Sequence, residues 1–275
     1  MRFLVTGAQG FLGAQVVSRL RDAGAVVIAT GRRPNHEIFR CDLSVAEDVT
    51  RLVDQVSPDR IVHCAAQVPR SLLEYHDGIS AGASVCMLDS LLSASACPIV
   101  FISSMTVYGT HRDRPISEHD AGDPTSAYGK GKWYGEQLLM SDGRPSFVVR
   151  IPGLFGPTRR EGLVYNVVQA AKFGRSLELP TGPLLWSAMH IDDAASSIVK
   201  LALSPIIEFQ AVNIGYRGKH SIETLVSMAS EIYKQRVDYS VTQPLFEFDL
   251  TRAEIHDVVP RCNFREALVK FSSQI

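Results

Sequence analysis

The chain has 275 residues, of which 45% are hydrophobic and 21% charged, and its formal net charge is -1 at pH 7. This composition is typical of a water-soluble globular protein with one large or two modest domains, and the lack of a basic excess argues against binding to nucleic acid or a membrane surface. No stretch approaches the roughly 20 apolar residues of a membrane span, and the five cysteines form no C-x-x-C pair, so we expect a cytoplasmic protein with reduced thiols and no metal site.

Short apolar runs alternate with amphipathic segments through the first half of the chain. The predicted strands are Phe3–Thr6, Val26–Thr30, Arg60–Cys64, Ile99–Ser103 and Phe147–Ile151. The predicted helices between them are Gly10–Ala23, Val45–Gln55, Gly78–Ala96 and Ser126–Met140. Strands and helices in alternation form βαβ units, so this half predicts an α/β fold with a doubly wound parallel sheet.

The pattern is less regular in the second half. Helices are predicted at Leu163–Gly174, Asp192–Leu203 and Ser221–Lys234, with a strand near Val212–Ile214. We therefore divide the chain into a sheet domain, residues 1–155, and a smaller C-terminal lobe, residues 156–275, which would mainly bind the substrate and return some segments to the sheet.

A glycine-rich loop with the spacing Gly7-x-x-Gly10-x-x-Gly13 follows the first predicted strand at once and opens a helix. Small residues let the backbone turn sharply and approach a pyrophosphate, and the helix N-terminus offers free N–H groups to it. The loop therefore predicts a Rossmann-type dinucleotide-binding domain over residues 1–155. The loop residues expected to contact the cofactor are Gly7, Gln9, Gly10, Phe11, Leu12 and Gly13.

The end of the second predicted strand indicates which dinucleotide is bound. An acidic residue there would bind the ribose hydroxyls of NAD, whereas an arginine would accommodate the additional phosphate of NADP. The strand is followed by Gly31, Arg32 and Arg33 with no carboxylate, and guanidinium groups suit phosphate. We predict NADP as the cofactor, with NAD as the less favoured alternative, and we expect Asp42 and Leu43 beside the adenine.

Tyr128 and Lys132 lie four residues apart on a predicted helix and therefore on one face of it. A nearby ammonium group stabilises a phenolate, so we expect Lys132 to lower the pKa of Tyr128 and make it a general acid or base. Ser103 and Ser104 end a buried strand at the carboxyl edge of the sheet, where doubly wound folds bind ligands. Ser104 is the expected hydrogen-bond partner of the reacting oxygen, and Ser103 is expected beside the cofactor.

Several motifs together resemble one known family. They are Thr6–Gly13, His63–Ala66, Ser103–Gly109, the pair Tyr128 and Lys132, Arg150–Pro157, His190–Asp193 and Val212–Gly215. Over almost the whole chain the sequence resembles the extended short-chain dehydrogenase/reductase family, especially its nucleotide-sugar epimerase, dehydratase and reductase branch.

The resemblance implies further roles. Lys132 would also hold the nicotinamide ribose. Other residues implied to line the cofactor are Ala65, Ala66, Gln67, Pro152 and Leu154. The resemblance also implies a possible homodimer built from the predicted helices Gly78–Ala96 and Ser126–Met140.

Two departures from the family pattern bear on the reaction. Met105 and Thr106 stand where the family's 4,6-dehydratases carry an Asp–Glu pair, which argues against a dehydratase and is closer to the epimerase form. Trp186 stands where many members have a diphosphate-binding arginine. The arginines that would have to neutralise a diphosphate instead are Arg159, Arg160, Arg175 or Arg261. The candidate substrate contacts are Thr106, Phe155 and Trp186.

These features lead to one main hypothesis and three alternatives. The main hypothesis is an NADP(H)-dependent reductase of a keto group on a nucleotide-linked deoxysugar, of the 4-ketoreductase type. The alternatives are a nucleotide-sugar epimerase that recycles its cofactor, a reductase of a small non-nucleotide ketone or aldehyde, and a non-catalytic NADP-sensing or scaffold protein.

Overall fold

A computed structural model describes residues 1–69, 71, 73–109, 113–180, 184–239 and 244–275. The strands are β1 (Arg2–Thr6), β2 (Val26–Gly31), β3 (Ile38–Arg40), β4 (Arg60–His63), β5 (Ile99–Ser104), β6 (Ser146–Ile151), β7 (Gly153–Phe155), β8 (Ala188–His190) and β9 (Phe209–Asn213). Across these described ranges, seven parallel strands form one sheet in the order β3-β2-β1-β4-β5-β6-β9, and β7 pairs with β8 in a separate parallel ladder.

Helices cover both faces of the main sheet. They are α1 (Phe11–Asp22), α2 (Ala46–Val56), α3 (Gly78–Ala94), α4 (Ala127–Asp142), α5 (Leu163–Phe173), α6 (Ile191–Leu203), α7 (Ile222–Tyr233), α8 (Thr251–Ile255) and α9 (Phe264–Ser272). This arrangement confirms the predicted Rossmann-type, doubly wound α/β fold. Within the described ranges, no helix is long and apolar enough to cross a membrane.

Alternating residues of the strands supply two separate cores, one on each face of the sheet. On β1, Phe3 and Val5 pack with Val16 and Leu20 of α1 in the larger core. Leu4 points to the other face and belongs to the core that α2 and α3 complete. The strands are therefore buried on both sides, which is why they read as continuous apolar runs.

The ends of four central strands meet at one edge of the sheet. β1, β4, β5 and β6 run parallel and adjacent, so the glycine loop after Thr6, the segment after His63, Ser104 and Ile151 all lie at their carboxyl ends. The chain order reverses between β1 and β4, and the crevice outside such a switch point is where doubly wound folds bind ligands.

Candidate active site

One large cleft opens at this edge of the sheet and is lined from both halves of the chain. Its volume is about 2080 Å³, well above the roughly 300–1,000 Å³ of an ordinary small-ligand pocket, so it has room for a dinucleotide and a second ligand. The cleft brings together all the residues proposed from the sequence as cofactor, catalytic or substrate contacts: Gly7, Gln9, Gly10, Phe11, Leu12, Gly13, Arg32, Arg33, Asp42, Leu43, Ala65, Ala66, Gln67, Ser103, Ser104, Thr106, Tyr128, Lys132, Pro152, Leu154, Phe155 and Trp186.

The glycine loop forms a backbone cradle that side chains would fill. Gly7 has φ +64°, and a Cβ there would lie 2.7 Å from the backbone of Ala65. A Cβ on Gly13 would lie 2.2 Å from the carbonyl oxygen of Gly7. Helix α1 begins at Phe11, and its N-cap Gly10 makes no side-chain cap. The loop therefore fits a dinucleotide, because its close-packed backbone leaves N–H groups for a pyrophosphate.

The basic end of β2 lies at the same cleft. Arg32 and Arg33 are exposed there, and Gln9 fixes the turn by accepting a hydrogen bond from the Arg33 backbone N–H at 3.3 Å. Glu37, the nearest carboxylate along the chain, pairs with Arg21 at 3.2 Å and lies outside the cleft lining.

Asp42 also lines the cleft, at the end of the adjoining segment. Its carboxylate accepts hydrogen bonds from the Ser44 hydroxyl at 2.6 Å and from the Ser44 backbone N–H at 3.0 Å. These bonds are the main reason that the pKa of Asp42 is lowered, and the charge of Arg32 lowers it further. The ionised carboxylate is the form that accepts hydrogen bonds from an adenine amino group.

The two serines at the end of β5 have different partners. Ser103 donates its hydroxyl hydrogen to the buried carboxylate of Glu136. The Ser104 hydroxyl accepts hydrogen bonds from the Thr106 backbone N–H at 3.2 Å and from the Thr106 hydroxyl at 3.0 Å. Ser104 can therefore still donate its own hydrogen into the cleft, whereas the Ser103 hydroxyl is held within the protein.

Lys132 is buried at the centre of the site. Its Nζ donates a hydrogen bond to the carbonyl of Ile102 at 2.7 Å and lies 5.0 Å from the ring centroid of Phe101 and 5.8 Å from that of Tyr128. Burial lowers the pKa of Lys132 to about 8, while nearby Cys64 and Glu136 oppose that shift.

The expected lowering of the Tyr128 pKa is wrong for this structure. Burial raises the pKa of Tyr128, and the neighbouring Tyr75 raises it further. Tyr75 packs edge-on against Tyr128, with ring centroids 5.6 Å apart and ring planes at 84°. Desolvation disfavours the phenolate, and the ammonium group of Lys132 does not reverse that effect. Tyr128 is therefore protonated at neutral pH.

A glycine next to Tyr128 sets the position of helix α4. The helix starts after Ser126, whose hydroxyl caps it by accepting from the Gly129 backbone N–H at 3.0 Å. A Cβ on Gly129 would lie only 2.6 Å from the carbonyl oxygen of Thr106. The missing side chain allows the first turn of α4 to pack directly against the segment that follows Ser104.

A buried polar network, which was not predicted from the sequence, lies next to the site in the protein interior. Arg150 of β6 pairs with Glu136 of α4 at 2.6 Å and donates to the hydroxyl of Tyr108 at 3.0 Å. Tyr108 donates in turn to the side-chain oxygen of Asn213 on β9. The sequence signal was a set of polar residues within otherwise apolar motifs, which is unusual unless they are paired.

The predicted substrate contacts differ in how they reach the cleft. Thr106 lines the cleft and donates hydrogen bonds from its backbone N–H and its hydroxyl to the Ser104 hydroxyl. Trp186 is partly buried and packs edge-on against Phe264, with ring centroids 5.9 Å apart. Phe155 borders the cleft but is only 3% exposed, and its ring packs against Phe271 and Phe264. It is therefore mainly a core residue.

The four arginines considered as diphosphate partners separate into two pairs. Arg159 and Arg160 line the cleft, whereas Arg175 and Arg261 are not among its lining residues. Arg175 instead lies over the ring of Phe173, at 4.9 Å from its centroid. Among the residues that the structure describes, no group of three or more His, Cys, Asp or Glu side chains comes together as a metal site would require.

Comparison with known proteins gives both a family and relatives. The family model of the RmlD substrate-binding domain matches residues 1–183. Methionine adenosyltransferase 2 subunit beta from Danio rerio is 30% identical over 161 residues, which cover 58% of this chain and 50% of that protein. UDP-glucose 4-epimerase from Azospirillum brasilense is 29% identical over 275 residues, covering 86% of this chain and 78% of that protein. The chain therefore spans about half the length of the first relative.

Solved structures share the complete fold. UDP-glucose 4-epimerase from Thermotoga maritima, solved with UDP-glucose, matches with a TM-score of 0.85 at 20% identity, covering 100% of this chain and 98% of that one. UDP-glucose 4-epimerase from Thermus thermophilus, solved with NAD, matches with a TM-score of 0.83 at 22% identity and the same coverage. At these identities the likeness establishes the fold.

Proposed function

The chain belongs to the extended short-chain dehydrogenase/reductase family, and from that premise we propose that it is an NADP(H)-dependent enzyme that reduces a keto group, most specifically the 4-keto group of a nucleotide-linked deoxysugar. The observation that carries the proposal is the meeting of Ser104, Tyr128 and Lys132 on the wall of the cleft that also contains the glycine cradle. Those three side chains supply what carbonyl reduction requires of a protein.

Reduction of a ketone adds a hydride to carbon and a proton to oxygen. A nicotinamide cofactor supplies the hydride when bound. Tyr128 holds its proton at neutral pH because burial raises its pKa, so it donates that proton to the oxygen. Ser104 polarises the same oxygen with its free hydrogen. Lys132 keeps a positive charge near the phenolate that remains, since its pKa is about 8.

The NADP preference rests on the end of β2. Arg32 and Arg33 offer two guanidinium groups to a ribose phosphate, and Glu37 lies outside the cleft lining. The Thermus thermophilus relative was solved with NAD, so the proposal departs from that relative here. Arg32→Gln should weaken NADPH binding at least roughly tenfold, as expected for a lost charge-assisted hydrogen bond, and leave NADH binding unchanged. Equal affinities of the unchanged protein for both cofactors would contradict the preference.

A nucleotide-linked substrate fits the size and charge of the cleft. Among the residues that the structure describes, five lysine and arginine side chains line it against two carboxylates, and its volume of about 2080 Å³ exceeds what a dinucleotide alone requires. The Thermotoga maritima relative was solved with UDP-glucose in place. A small, uncharged ketone would leave most of that space and charge unused.

Epimerisation of a nucleotide sugar is the second candidate. The Azospirillum brasilense relative is a UDP-glucose 4-epimerase, and Met105 and Thr106 resemble the epimerase form. An epimerase would use Tyr128 as base when it oxidises the substrate and as acid when it reduces the intermediate, so the same residue serves both reactions. The reductase remains the first candidate because Arg32 and Arg33 at the end of β2 support NADP(H) and with it a net reduction.

The test is NADPH consumption by the purified protein with a panel of nucleotide-linked keto-sugars and simple ketones. Oxidation of NADPH with the nucleotide-linked compounds alone is the expected result. Oxidation with simple ketones alone would reject the nucleotide-linked substrate. Interconversion of UDP-hexoses without any NADPH consumption would replace the reductase by the epimerase.

We also propose that the protein forms a homodimer and is located in the cytoplasm. Helices α3 and α4 expose large apolar side chains, including Ile79 at 87% and Tyr134 at 56% exposure, and such a surface suits a partner copy. Light scattering that gives the mass of a monomer at micromolar concentration would reject the dimer.

A further inference from the structure

The cleft is lined by more positively charged side chains than the proposed function has so far given a role. The whole chain carries a net charge of -1, yet the described lining of the cleft is strongly basic. Its basic residues are Arg32, Arg33, Lys132, Arg159 and Arg160, and its acidic residues are Asp42 and Glu161. The arginines after β2 and the lysine of α4 have proposed roles. Arg159 and Arg160, in the segment that follows β7, have so far been considered only as partners of a substrate diphosphate.

Arg159 lies over the glycine cradle. Its guanidinium carbon is 5.9 Å from the ring centroid of Phe11, the first residue of helix α1. A guanidinium group over an aromatic face is held by cation–π attraction. The backbone of Arg159 is fixed as well, because its N–H donates to the carbonyl of Gly156 at 3.0 Å.

The ion pair that Arg159 forms with Glu161 is weak. The Arg159 Nε lies 3.6 Å from a carboxylate oxygen of Glu161, whose side chain is 55% exposed, and such solvent-exposed pairs contribute little. Within the described ranges, none of the hydrogen bonds of the structure involves the Arg159 guanidinium. Its fork of donors is therefore available to a ligand in the cleft.

The charge of Arg159 also acts on Tyr75, the neighbour of Tyr128. This charge lowers the pKa of Tyr75 against the raising effect of burial, and Tyr75 packs against Tyr128. Arg159 is therefore near Phe11 at the end of the glycine cradle and also near Tyr75, which contacts Tyr128. A dinucleotide bound with its adenine at β2 and its nicotinamide at Tyr128 carries its diphosphate past the glycine cradle, on the side of the cleft that Arg159 lines.

We propose that Arg159 binds the diphosphate of the dinucleotide, from the segment after β7 and across from the glycine cradle. The second half of the chain thereby closes on the cofactor through one charge-assisted contact. This inference rests on the proposed function only in requiring a dinucleotide cofactor. It does not depend on NADP preference or on ketone reduction.

The test is the binding of NADPH and of NADH to Arg159→Gln, measured by calorimetry on the full chain. Both cofactors carry the diphosphate, so both dissociation constants should rise by the same factor, roughly tenfold or more for a lost hydrogen bond to a charged group. Arg159→Lys, which keeps the charge, should recover part of the affinity. Arg175→Gln is the matched control, because Arg175 also lies over an aromatic ring but outside the cleft lining, and it should bind both cofactors normally.

A substrate diphosphate is the competing ligand, and UDP is its probe. If Arg159→Gln binds both dinucleotides within twofold of the unchanged protein, the proposal is overturned, and a selective loss of UDP binding would assign Arg159 to the substrate instead. Weaker binding of both dinucleotides with no reduction of any ketone would reject the proposed function and leave this inference standing.

Discussion

Burial governs the two titratable groups at the centre of the cleft. Lys132 lies 5.8 Å from the ring centre of Tyr128, but its ammonium group is directed to the carbonyl of Ile102. Desolvation therefore decides both pKa values and moves them in opposite directions, upward for the phenol and downward to about 8 for the amine. Each group stays protonated at pH 7, which prepares the site for proton donation.

Tyr128→Phe tests the proton donor directly. The ring and its packing against Tyr75 remain, so we expect dinucleotide affinity to stay within twofold while kcat falls by roughly 10²- to 10⁴-fold, the usual contribution of general acid catalysis. Tyr134→Phe is the control, because Tyr134 lies on the same helix but is 56% exposed. Retention of more than a tenth of the activity by Tyr128→Phe would remove Tyr128 from the mechanism.

The pH profile tests Lys132. Its ammonium charge is lost as pH rises through about 8, so kcat/KM should fall above that pH, by about tenfold per pH unit. The raised pKa of Tyr128 keeps the phenol protonated through the same range. Lys132→Arg keeps its charge at all these pH values and should lose this decline. A decline at the same pH in Lys132→Arg would assign it to another group.

At the scale of the elements, close backbone contact positions the proposed catalytic groups. Gly129 allows the first turn of α4 to lie against the carbonyl of Thr106, so Tyr128 on the helix and Ser104 before the turn are fixed relative to each other. Glycine in a helix is unfavourable by roughly 1 kcal/mol relative to alanine. Its presence here is explained by the contact.

Gly129→Ala should therefore reduce activity although alanine favours helices. The added Cβ would lie 2.6 Å from a backbone oxygen, so α4 must shift, and a displacement of about 1 Å at a catalytic group can lower the rate by up to about 10²-fold. Gly82→Ala is the control, since a Cβ at Gly82 in α3 meets nothing within 4 Å. It should leave kcat unchanged and raise the melting temperature. Equal activities of the two variants would contradict this account of α4.

The elements of the sheet were largely predictable from sequence, because buried parallel strands are continuous apolar runs. The five strands predicted in the first half end within one residue of the structure, whereas β9 begins at Phe209, three residues before the predicted Val212. The prediction missed β3, which is three residues long and partly exposed at the sheet edge. It also missed β7 and β8, whose three-residue ladder depends on a partner more than 30 residues away.

The parts of the candidate site that depend on the spacing of residues along the chain were predictable from the sequence. The contacts between residues distant in sequence were not. Tyr128 and Lys132 share a helix face, and the glycine loop is one continuous segment. The ion pair of Glu136 with Arg150 joins a helix to a strand, and no periodicity predicts that contact. The pKa of Tyr128 was mispredicted because burial is a property of the folded molecule.

At the scale of the whole molecule, a neutral histidine lies where β1 and β4 join the site to the core. His63 is 1% exposed, and its Nδ1 is 2.7 Å from the hydroxyl of Thr6. Burial lowers the pKa of His63 to about 3, and the charge of Lys132 lowers it further. The folded protein therefore excludes a proton that the unfolded chain binds near its ordinary pKa of 6.5.

The free energy of unfolding should decrease as pH falls. Between pH 6.5 and about 3 the unfolded state binds one proton more than the folded state at His63, which corresponds to about 1.4 kcal/mol per pH unit. Urea denaturation at pH 7, 6, 5 and 4 measures this slope. His63→Asn keeps a hydrogen-bonding group near Thr6 but cannot titrate, so its slope should be smaller by that amount. Identical slopes would show that His63 is not the group responsible.

Hydride transfer from NADPH that carries deuterium at the transferable position of the nicotinamide tests net ketone reduction most directly. With a nucleotide-linked keto-sugar, we expect one NADPH oxidised per alcohol formed, with the deuterium on the new carbinol carbon and transfer roughly 10²- to 10⁴-fold slower in Tyr128→Phe. Interconversion of nucleotide sugars with the total NADPH unchanged would contradict the account and establish a cofactor-recycling epimerase.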